Sequence, residues 1–262
     1  MTNYKKFQIN SDITPKKDVV FKQLFGSSES EHEGILKGFL QSILDIKIDS
    51  LKLTLPTELI PDYYDGKKTR VDVRAKLPDG TNVNIEMQMT AKGYSDKRCL
   101  QHWSKIYSND LKEGHLYTEL NKTICIWLLN ENIFDEFDDY QSKWEIIDQK
   151  HHLDTHFNEL EIYIIELPKF RKCDKISLSD KELWLSFIDY TDEELVNMAC
   201  ISNKEIEKAR KQLDKIRSNE QLMEIIRLQE AYEWDEATAI HNAKIEGKQS
   251  GLAEGKKEAA IL

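Results

Sequence analysis

Two acidic residues and a glutamine are spaced so that their side chains could hold a metal ion beside a water molecule. Asp72 precedes Glu86 by 14 residues, and Gln88 follows Glu86 by two. Carboxylate oxygens are the ligands that hard divalent cations such as Mg²⁺ prefer. A bound cation of this kind assists hydrolysis of phosphodiesters, and a glutamine can orient water through hydrogen bonds, although its neutral amide does not titrate. We therefore take Asp72, Glu86 and Gln88 as candidate catalytic residues, with Asp72 and Glu86 as metal ligands.

A predicted β-hairpin would bring these three side chains together. Apolar and polar residues alternate along Thr69–Leu77 and along Thr81–Met89, which is the pattern of strands with one apolar face. Pro78-Asp79-Gly80 between them is a strong turn signal. If the register pairs the two acids, their carboxylates project from the same polar face. Spacing alone leaves a second interpretation open, an exposed strand face on which Asp, Glu, Asn and Gln are common.

Three cationic side chains follow the hairpin. Lys92, Lys97 and Arg98 could hold backbone phosphates of DNA, or they could be the solvated start of a helix. Trp103 and Tyr107 are four residues apart on that helix, and core packing is favoured over base stacking for both.

The remaining elements predict an α/β fold around a mixed sheet. Apolar residues recur at helical spacing or form β-branched runs that end at proline or glycine. Helices are predicted at Lys17–Phe25, Glu33–Leu44, Tyr94–Lys112, Asp180–Tyr190 and Asp192–Cys200, the last two each with an acidic N-cap candidate, and strands at Leu51–Leu55, Thr123–Leu129 and Glu161–Leu167.

Composition narrows the class of protein without deciding its function. The 262 residues are 40% hydrophobic and carry a net charge of −10. The part through Asn130 has 19 Lys and Arg against 17 Asp and Glu, net +2, whereas the remainder has 18 against 30, net −12. Only the first part would approach a polyanion. The longest apolar run, Ile124–Leu129, is far shorter than a membrane span, and no secretory signal is visible. The four scattered cysteines predict buried free thiols, so we expect a cytoplasmic protein.

Other chemically suggestive groups have simpler interpretations. His151, His152 and His156 are expected to be solvated loop residues rather than a metal cluster, and Glu166 at a strand end is expected to be structural. The C-terminal glycines at four-residue intervals, Gly247, Gly251 and Gly255, leave two alternatives open: close helix contact in an oligomer or a fraying end.

Several motifs, in this order along the chain, resemble those of the PD-(D/E)XK nuclease family transposases, also called recombination-promoting nucleases. The resemblance covers roughly residues 14–260. It rests on Asp18-Val-Val-Phe-Lys22, Val71-Asp-Val-Arg74, Asn84-Ile-Glu-Met-Gln88, Lys97-Arg98, Tyr107, Gly114-His-Leu-Tyr117, Glu166-Leu-Pro-Lys-Phe170, Leu183-Trp184 and Phe187, and on the glycine-spaced tail.

The resemblance implies a restriction-endonuclease-like fold with an αβββαβ core and a mixed central sheet, followed by a helical C-terminal extension. We expect a nuclease-like domain over residues 1–190 and the extension over 191–262. The implied activity is that of a DNA endonuclease of mobile-element origin that depends on Mg²⁺, or on Mn²⁺ in its place. Gln88 departs from the lysine of the family name, which implies slow or conditional activity.

Two other functions remain open from the sequence. The chain could be a nuclease-like module that binds DNA or assembles with itself without catalysis. It could also be chiefly an oligomeric regulator, in which residues 203–262 form the contacts of a homo-oligomer, a dimer or larger.

Overall fold

The computed structural model describes residues 13–27, 30–54, 73–89, 95–111, 114, 116–153 and 156–228, together with 231, 235, 238–239, 242–243 and 245–248. Asp72 and Lys92 lie outside the described residues, as do Gly251 and Gly255 of the tail. All structural statements below refer to the described part of the chain.

Six strands form one mixed sheet in the order β1-β2-β3-β4-β6-β5. The pairs β3–β4 and β4–β6 are parallel, and the other three are antiparallel. The strands are β1 Lys52–Thr54, β2 Val73–Lys76, β3 Asn82–Gln88, β4 Thr123–Leu129, β5 Gln141–Glu145 and β6 Leu160–Glu166.

Helices precede, connect and follow the strands along the chain. The helices are α1 Asp18–Gly26, α2 Ser30–Leu44, α3 Ser95–Asp110, the short α4 Leu167–Phe170, α5 Asp180–Asp189, α6 Glu193–Ser202 and α7 Lys204–Ser218, with a 3-10 helix at Tyr117–Glu119. The core order α-β-β-β-α-β expected from the sequence is confirmed, with β5 as an additional strand at the edge.

The hairpin of β2 and β3 fixes the orientation of the candidate residues. Val73 pairs with Ile85, and Ala75 pairs with Val83. In the turn, the backbone N–H of Leu77 donates to the Thr81 carbonyl at 2.9 Å. Gly80 adopts φ +92°, a conformation that glycine reaches without a steric penalty. The apolar residues of β3 thus face one side of the sheet and its polar residues face the other.

Two apolar layers enclose the sheet. One lies between the sheet and α3 and consists of Cys99, Ile106, Cys125, Trp127, Leu129, Leu160, Ile162 and Ile164. A second core includes rings from α1, α2 and α5, in which Phe25, Phe39 and Trp184 approach one another with centroids 5.2 to 6.2 Å apart. β4 and β6 are buried along their whole length, as predicted for strands covered on both faces.

Two local predictions were incomplete. β5 was not predicted, because Gln141–Glu145 has polar residues at most positions and is partly exposed at the sheet edge. Asp180 is not the N-cap of α5, because the preceding Ser179 accepts from the backbone N–H of Glu182 in a capping box. Asp192 does cap α6, through hydrogen bonds from the N–H groups of Glu194 and Leu195.

The chain divides into two compact units, residues Met1–Lys215 and Ile216–Leu262. Within the second unit, residues 220–228 are helical, and the Asn219 side chain accepts hydrogen bonds from the backbone N–H groups of Gln221 and Leu222. A boundary at residue 190 stays a prediction. Among the described residues, no helix is long and apolar enough to cross a membrane. The four cysteines are free thiols, and Cys99 and Cys125 are buried as predicted. Cys173 and Cys200 are half-buried, so the prediction of burial is wrong for these two.

The turn glycine gives a stability test with a matched control. A Cβ on Gly80 would lie 2.3 Å from Asn121 Oδ1, and the Asn121 amide donates to Asp110 Oδ2 at 2.7 Å, so it cannot move without weakening that bond. Gly114 has a similar φ of +85°, but no atom of the described residues lies within 4 Å of its Cβ position. We expect Gly114→Ala to lose about 1 to 2 kcal/mol of unfolding free energy from backbone strain alone. Gly80→Ala should lose about 1 kcal/mol more, from the displaced hydrogen bond.

Urea unfolding of both variants measures this difference. Equal losses at the two glycines would contradict the packing of the turn against Asn121.

Candidate active site

The Glu86 carboxylate lies inside the protein. Glu86 is the fifth residue of β3 and is 3% exposed. It pairs in parallel register with Trp127 of β4, whose side chain belongs to the apolar layer beneath α3. Asn82 and Asn84 on the same face are also buried. The interpretation of this face as an ordinary exposed strand face is therefore wrong.

Two side chains hold one oxygen of this carboxylate. The Asn84 amide Nδ2 donates to Glu86 Oε1 at 2.9 Å. His102 Nδ1 lies 3.3 Å from the same oxygen, and a carboxylate can only accept, so the imidazole donates. Charge-assisted hydrogen bonds of this kind offset part of the cost of burying an acid. Both contacts end on Oε1, so Oε2 is not engaged by either.

His102 reaches Glu86 from the buried side of α3. Cys99, His102 and Ile106 follow one another at helical spacing and are all buried. The imidazole packs edge-on against Trp127, with ring centroids 5.1 Å apart and an interplanar angle of 64°. The helix and the strand thus meet at a polar contact within an apolar layer.

Other polar atoms on this face have no hydrogen-bond partner in the described part of the protein. Asn84 Oδ1 is a buried acceptor of this kind, and Trp127 Nε1 is a buried donor. Such atoms in folded proteins are ordinarily satisfied by ordered water or by an ion. The face around Glu86 therefore has unused hydrogen-bonding capacity.

The donor chemistry around Glu86 fits a hard divalent cation. A buried carboxylate with one oxygen outside its protein hydrogen bonds, beside a buried amide oxygen without a partner, supplies oxygen ligands of the kind that Mg²⁺ prefers. Within the described residues no group of three or more His, Cys, Asp and Glu side chains could hold a metal. Glu86 would need a further acidic ligand, and its predicted partner Asp72 lies outside the described residues.

Comparison with protein families gives a match along most of the chain. The model of the PD-(D/E)XK nuclease family transposases matches residues 15–243 of 262. The chain belongs to this family. Comparison with curated proteins and with solved structures gave no match. Family membership, together with the mixed six-stranded sheet, confirms the restriction-endonuclease-like α/β fold and places this transposase-family protein in the nuclease class.

Gln88 is the last residue of β3 and of its polar face. Its side chain is half-buried, and its backbone carbonyl accepts a hydrogen bond from Asn130 at 3.0 Å. Residues of a strand that are two apart project to the same side, so Gln88 and Glu86 share a face.

Two of the three predicted phosphate contacts lie at the start of α3. Lys97 and Arg98 are exposed there. The Arg98 guanidinium carbon lies 5.7 Å from the centre of the Trp127 ring, which brings one cation close to the strand partner of Glu86. Lys92 lies outside the described residues.

The positions of the remaining groups agree with their simpler interpretations. Trp103 packs on the apolar layer and donates to the Thr123 carbonyl at 2.9 Å, and it stacks on Tyr107. His151, His152 and His156 lie in exposed loop segments. The structural role of Glu166 stays a prediction, which its partners support.

The role of Glu166 follows from its partners. Its Oε1 accepts from the backbone N–H groups of Ile133 and Phe134, and its Oε2 contacts Lys169 Nζ at 2.7 Å. Glu166 thereby fixes the loop that follows β4.

The partners of Glu86 were not found from the sequence. Asn84 was noticed only as part of a family-like motif, and His102 was not considered. A signal for His102 was present, because a histidine in the otherwise apolar stripe of a helix needs a polar partner on the element beneath. The sequence alone did not say that this partner is Glu86.

The thiols of Cys99 and Cys125 are buried near Glu86, and its charge contributes to their raised pKa values. Burial, with a smaller contribution from the Glu86 charge, raises the pKa of Cys99 to about 12. Burial also raises the pKa of Cys125 well above its usual value, again with a smaller contribution from Glu86. Both groups are therefore neutral thiols at neutral pH, and neutral buried thiols are unreactive.

Thiol labelling tests whether Cys99 and Cys125, which lie beside Glu86, are buried in solution. In a variant with Cys173→Ser and Cys200→Ser, Cys99 and Cys125 are the remaining cysteines. We expect no reaction of the folded variant with dithiobis(2-nitrobenzoate) at pH 8. In urea, two thiols per chain should react. Rapid labelling of the folded variant would contradict a buried Glu86 face.

Proposed function

We propose that this protein is a metal-dependent DNA endonuclease in which Asp72 and Glu86 hold Mg²⁺ and Gln88 orients the attacking water. The buried Glu86 carboxylate carries the proposal. Burying an acid in an apolar layer with protein partners on one oxygen costs free energy, and a cation bound at the other oxygen would offset that cost. Membership of a nuclease family supplies the reaction class.

The hairpin register supports Asp72 as the second ligand. Val73 pairs with Ile85 in an antiparallel ladder. Asp72 directly precedes Val73, and Glu86 directly follows Ile85. Continued by one residue, this register would set Asp72 opposite Glu86 on the same face.

Each residue has a distinct part in the proposed reaction. A bound Mg²⁺ supplies Lewis-acid polarisation of the scissile phosphate. Asp72 and Glu86 provide carboxylate oxygens that fix the position of the cation. Gln88 holds water through its amide, and it supplies no positive charge and exchanges no proton. We therefore expect slower hydrolysis than a lysine at this position would give.

The cationic start of α3 fits the role of contacting the DNA backbone. Lys97 and Arg98 are exposed, and Lys92 is close to them in sequence. Contacts to phosphate position a nucleic acid without reading its sequence. The part of the chain that carries them has the net positive charge noted above, whereas the remainder would repel a polyanion.

A second function remains a candidate because of Gln88. A neutral amide in place of lysine is compatible with a nuclease-like module that binds DNA or assembles with itself but turns over poorly. Homo-oligomer formation through the C-terminal helix, like a cytoplasmic location, stays an expectation from the sequence. Truncation near Ser202, followed by measurement of mass in solution, tests the contribution of residues 203–262 to assembly.

Plasmid nicking tests the proposed activity. We expect conversion of supercoiled to open-circular DNA in Mg²⁺ or Mn²⁺, and none in excess chelator. Asp72→Asn and Glu86→Gln should each reduce nicking to the level seen without metal, because each replaces a charged ligand by a neutral amide of the same size. Asp135→Asn, which changes an exposed acid elsewhere, is the matched control and should nick like the wild type.

Calorimetric titration with Mn²⁺ separates the enzyme from the inactive module. Mn²⁺ binding that disappears in Asp72→Asn and Glu86→Gln supports the proposed site. Nicking that survives both substitutions, or Mn²⁺ binding that is insensitive to them, would rule it out.

Gln88 gives a test that does not depend on metal binding. We expect Gln88→Leu, which keeps similar size but cannot hydrogen-bond to water, to lower the nicking rate at saturating Mn²⁺ by about 10- to 100-fold. The Mn²⁺ dissociation constant should stay within about threefold, since this amide is not a ligand in the proposed site. An unchanged rate would mean that Gln88 does not orient the water.

A further inference from the structure

We propose that His102 is a positioning residue that locks the Glu86 carboxylate to α3 and thereby sets the affinity of the site for its cation. This inference rests on the proposed metal-dependent function. It assigns to a residue outside the Asp72, Glu86 and Gln88 set a defined atom, a defined bond and a measurable effect.

The contact is buried at both ends. The side chains of His102 and Glu86 are 5% and 4% exposed, and Nδ1 lies 3.3 Å from Oε1. Water competes poorly for hydrogen bonds at such a site, so the orientation of the carboxylate depends on its protein partners. The hydrogen bond requires the tautomer or charge state of His102 with a proton on Nδ1, and either form donates.

His102 and Asn84 differ in the secondary-structure element from which they donate to Glu86. Asn84 also donates to Oε1, but it stands two residues away on the same strand, so it moves with Glu86 and cannot fix the carboxylate relative to the helix. His102 crosses from α3 to β3. Among the described residues, the bond from His102 is the one hydrogen bond that connects the Glu86 carboxylate to a different secondary-structure element.

The same helix carries the proposed DNA contacts. Lys97 and Arg98 lie at the start of α3, and Arg98 is one helical turn before His102. A carboxylate held by His102 is therefore held in register with the cations that would contact the DNA backbone. With Oε1 engaged by two donors, the geometry leaves the role of metal ligand to Oε2.

A merely structural histidine would have a different requirement. The ring packs edge-on against Trp127, and a phenylalanine would satisfy that contact as well as an imidazole. The Nδ1 donor also offsets part of the cost of burying Glu86, so stability does not separate the two roles, whereas the affinity for the cation does. Outer hydrogen bonds of this kind typically change metal affinity by about 10- to 100-fold when removed.

Three substitutions of His102 separate these roles. In His102→Asn the amide nitrogen falls near the position of Nδ1 and keeps the donor. In His102→Gln the amide reaches further, towards the position of Nε2, and the donor at Nδ1 is lost. His102→Phe keeps the ring volume and has no donor. The asparagine and glutamine variants are a matched pair because both bury one amide.

Calorimetric titration of each full-length variant with Mn²⁺ gives the primary readout, with thermal unfolding to check the fold. We expect the Mn²⁺ dissociation constant to rise about 10-fold or more in His102→Gln and His102→Phe, and to stay within about threefold of wild type in His102→Asn. The Mn²⁺ concentration for half-maximal plasmid nicking should shift in parallel.

The outcomes that overturn the proposal are distinct. Wild-type affinity in the glutamine and phenylalanine variants would show that the bond does not position the carboxylate. Loss of affinity in His102→Asn equal to that in His102→Phe would show that the imidazole itself is required, as for a direct metal ligand. Absence of Mn²⁺ binding by the wild type would instead refute the proposed function on which this inference depends.

Discussion

The burial of one carboxylate constrains much of this fold. Glu86 lies on a strand that runs parallel to β4, and the helix α3 beside it contributes Cys99 and Ile106 to the apolar layer. An unpartnered acid at such a site would be strongly destabilising. Two hydrogen-bond donors offset this cost, the Asn84 amide from the same strand and the His102 imidazole from α3. The position of α3 on the sheet and the buried polar face of β3 therefore depend on each other.

The strands and helices around this site could be predicted where one signal dominated. The unbroken apolar run at β4 and the alternation in β3 gave both elements, because burial on two faces or on one leaves a clear pattern. β5 gave no such pattern, since an edge strand that is partly exposed need not bury either face. The cap of α5 was misplaced by one residue because Ser179 and Asp180 are both good caps, and only geometry distinguishes them.

The candidate site was predictable in its residue types but not in its surroundings. The spacing of Asp72, Glu86 and Gln88 indicated a shared face, but the same spacing fits a solvated strand. What distinguishes the two is the helix α3, which packs on β4 and β6 and reaches Glu86 of β3 through His102. This contact is a long-range one that periodicity does not encode. His102 was missed for this reason, because its partner is 16 residues away on another element.

In the proposed site, Glu86 is held by His102 and Asn84 and shares a divalent cation with Asp72. Anomalous diffraction at the manganese edge from a crystal soaked in Mn²⁺ tests this proposal most directly. We expect a peak at coordination distance from a carboxylate oxygen of Asp72 and from Oε2 of Glu86, with Oε1 still bonded to His102. A well-ordered site with no manganese peak, or a peak that does not touch Glu86, would contradict it.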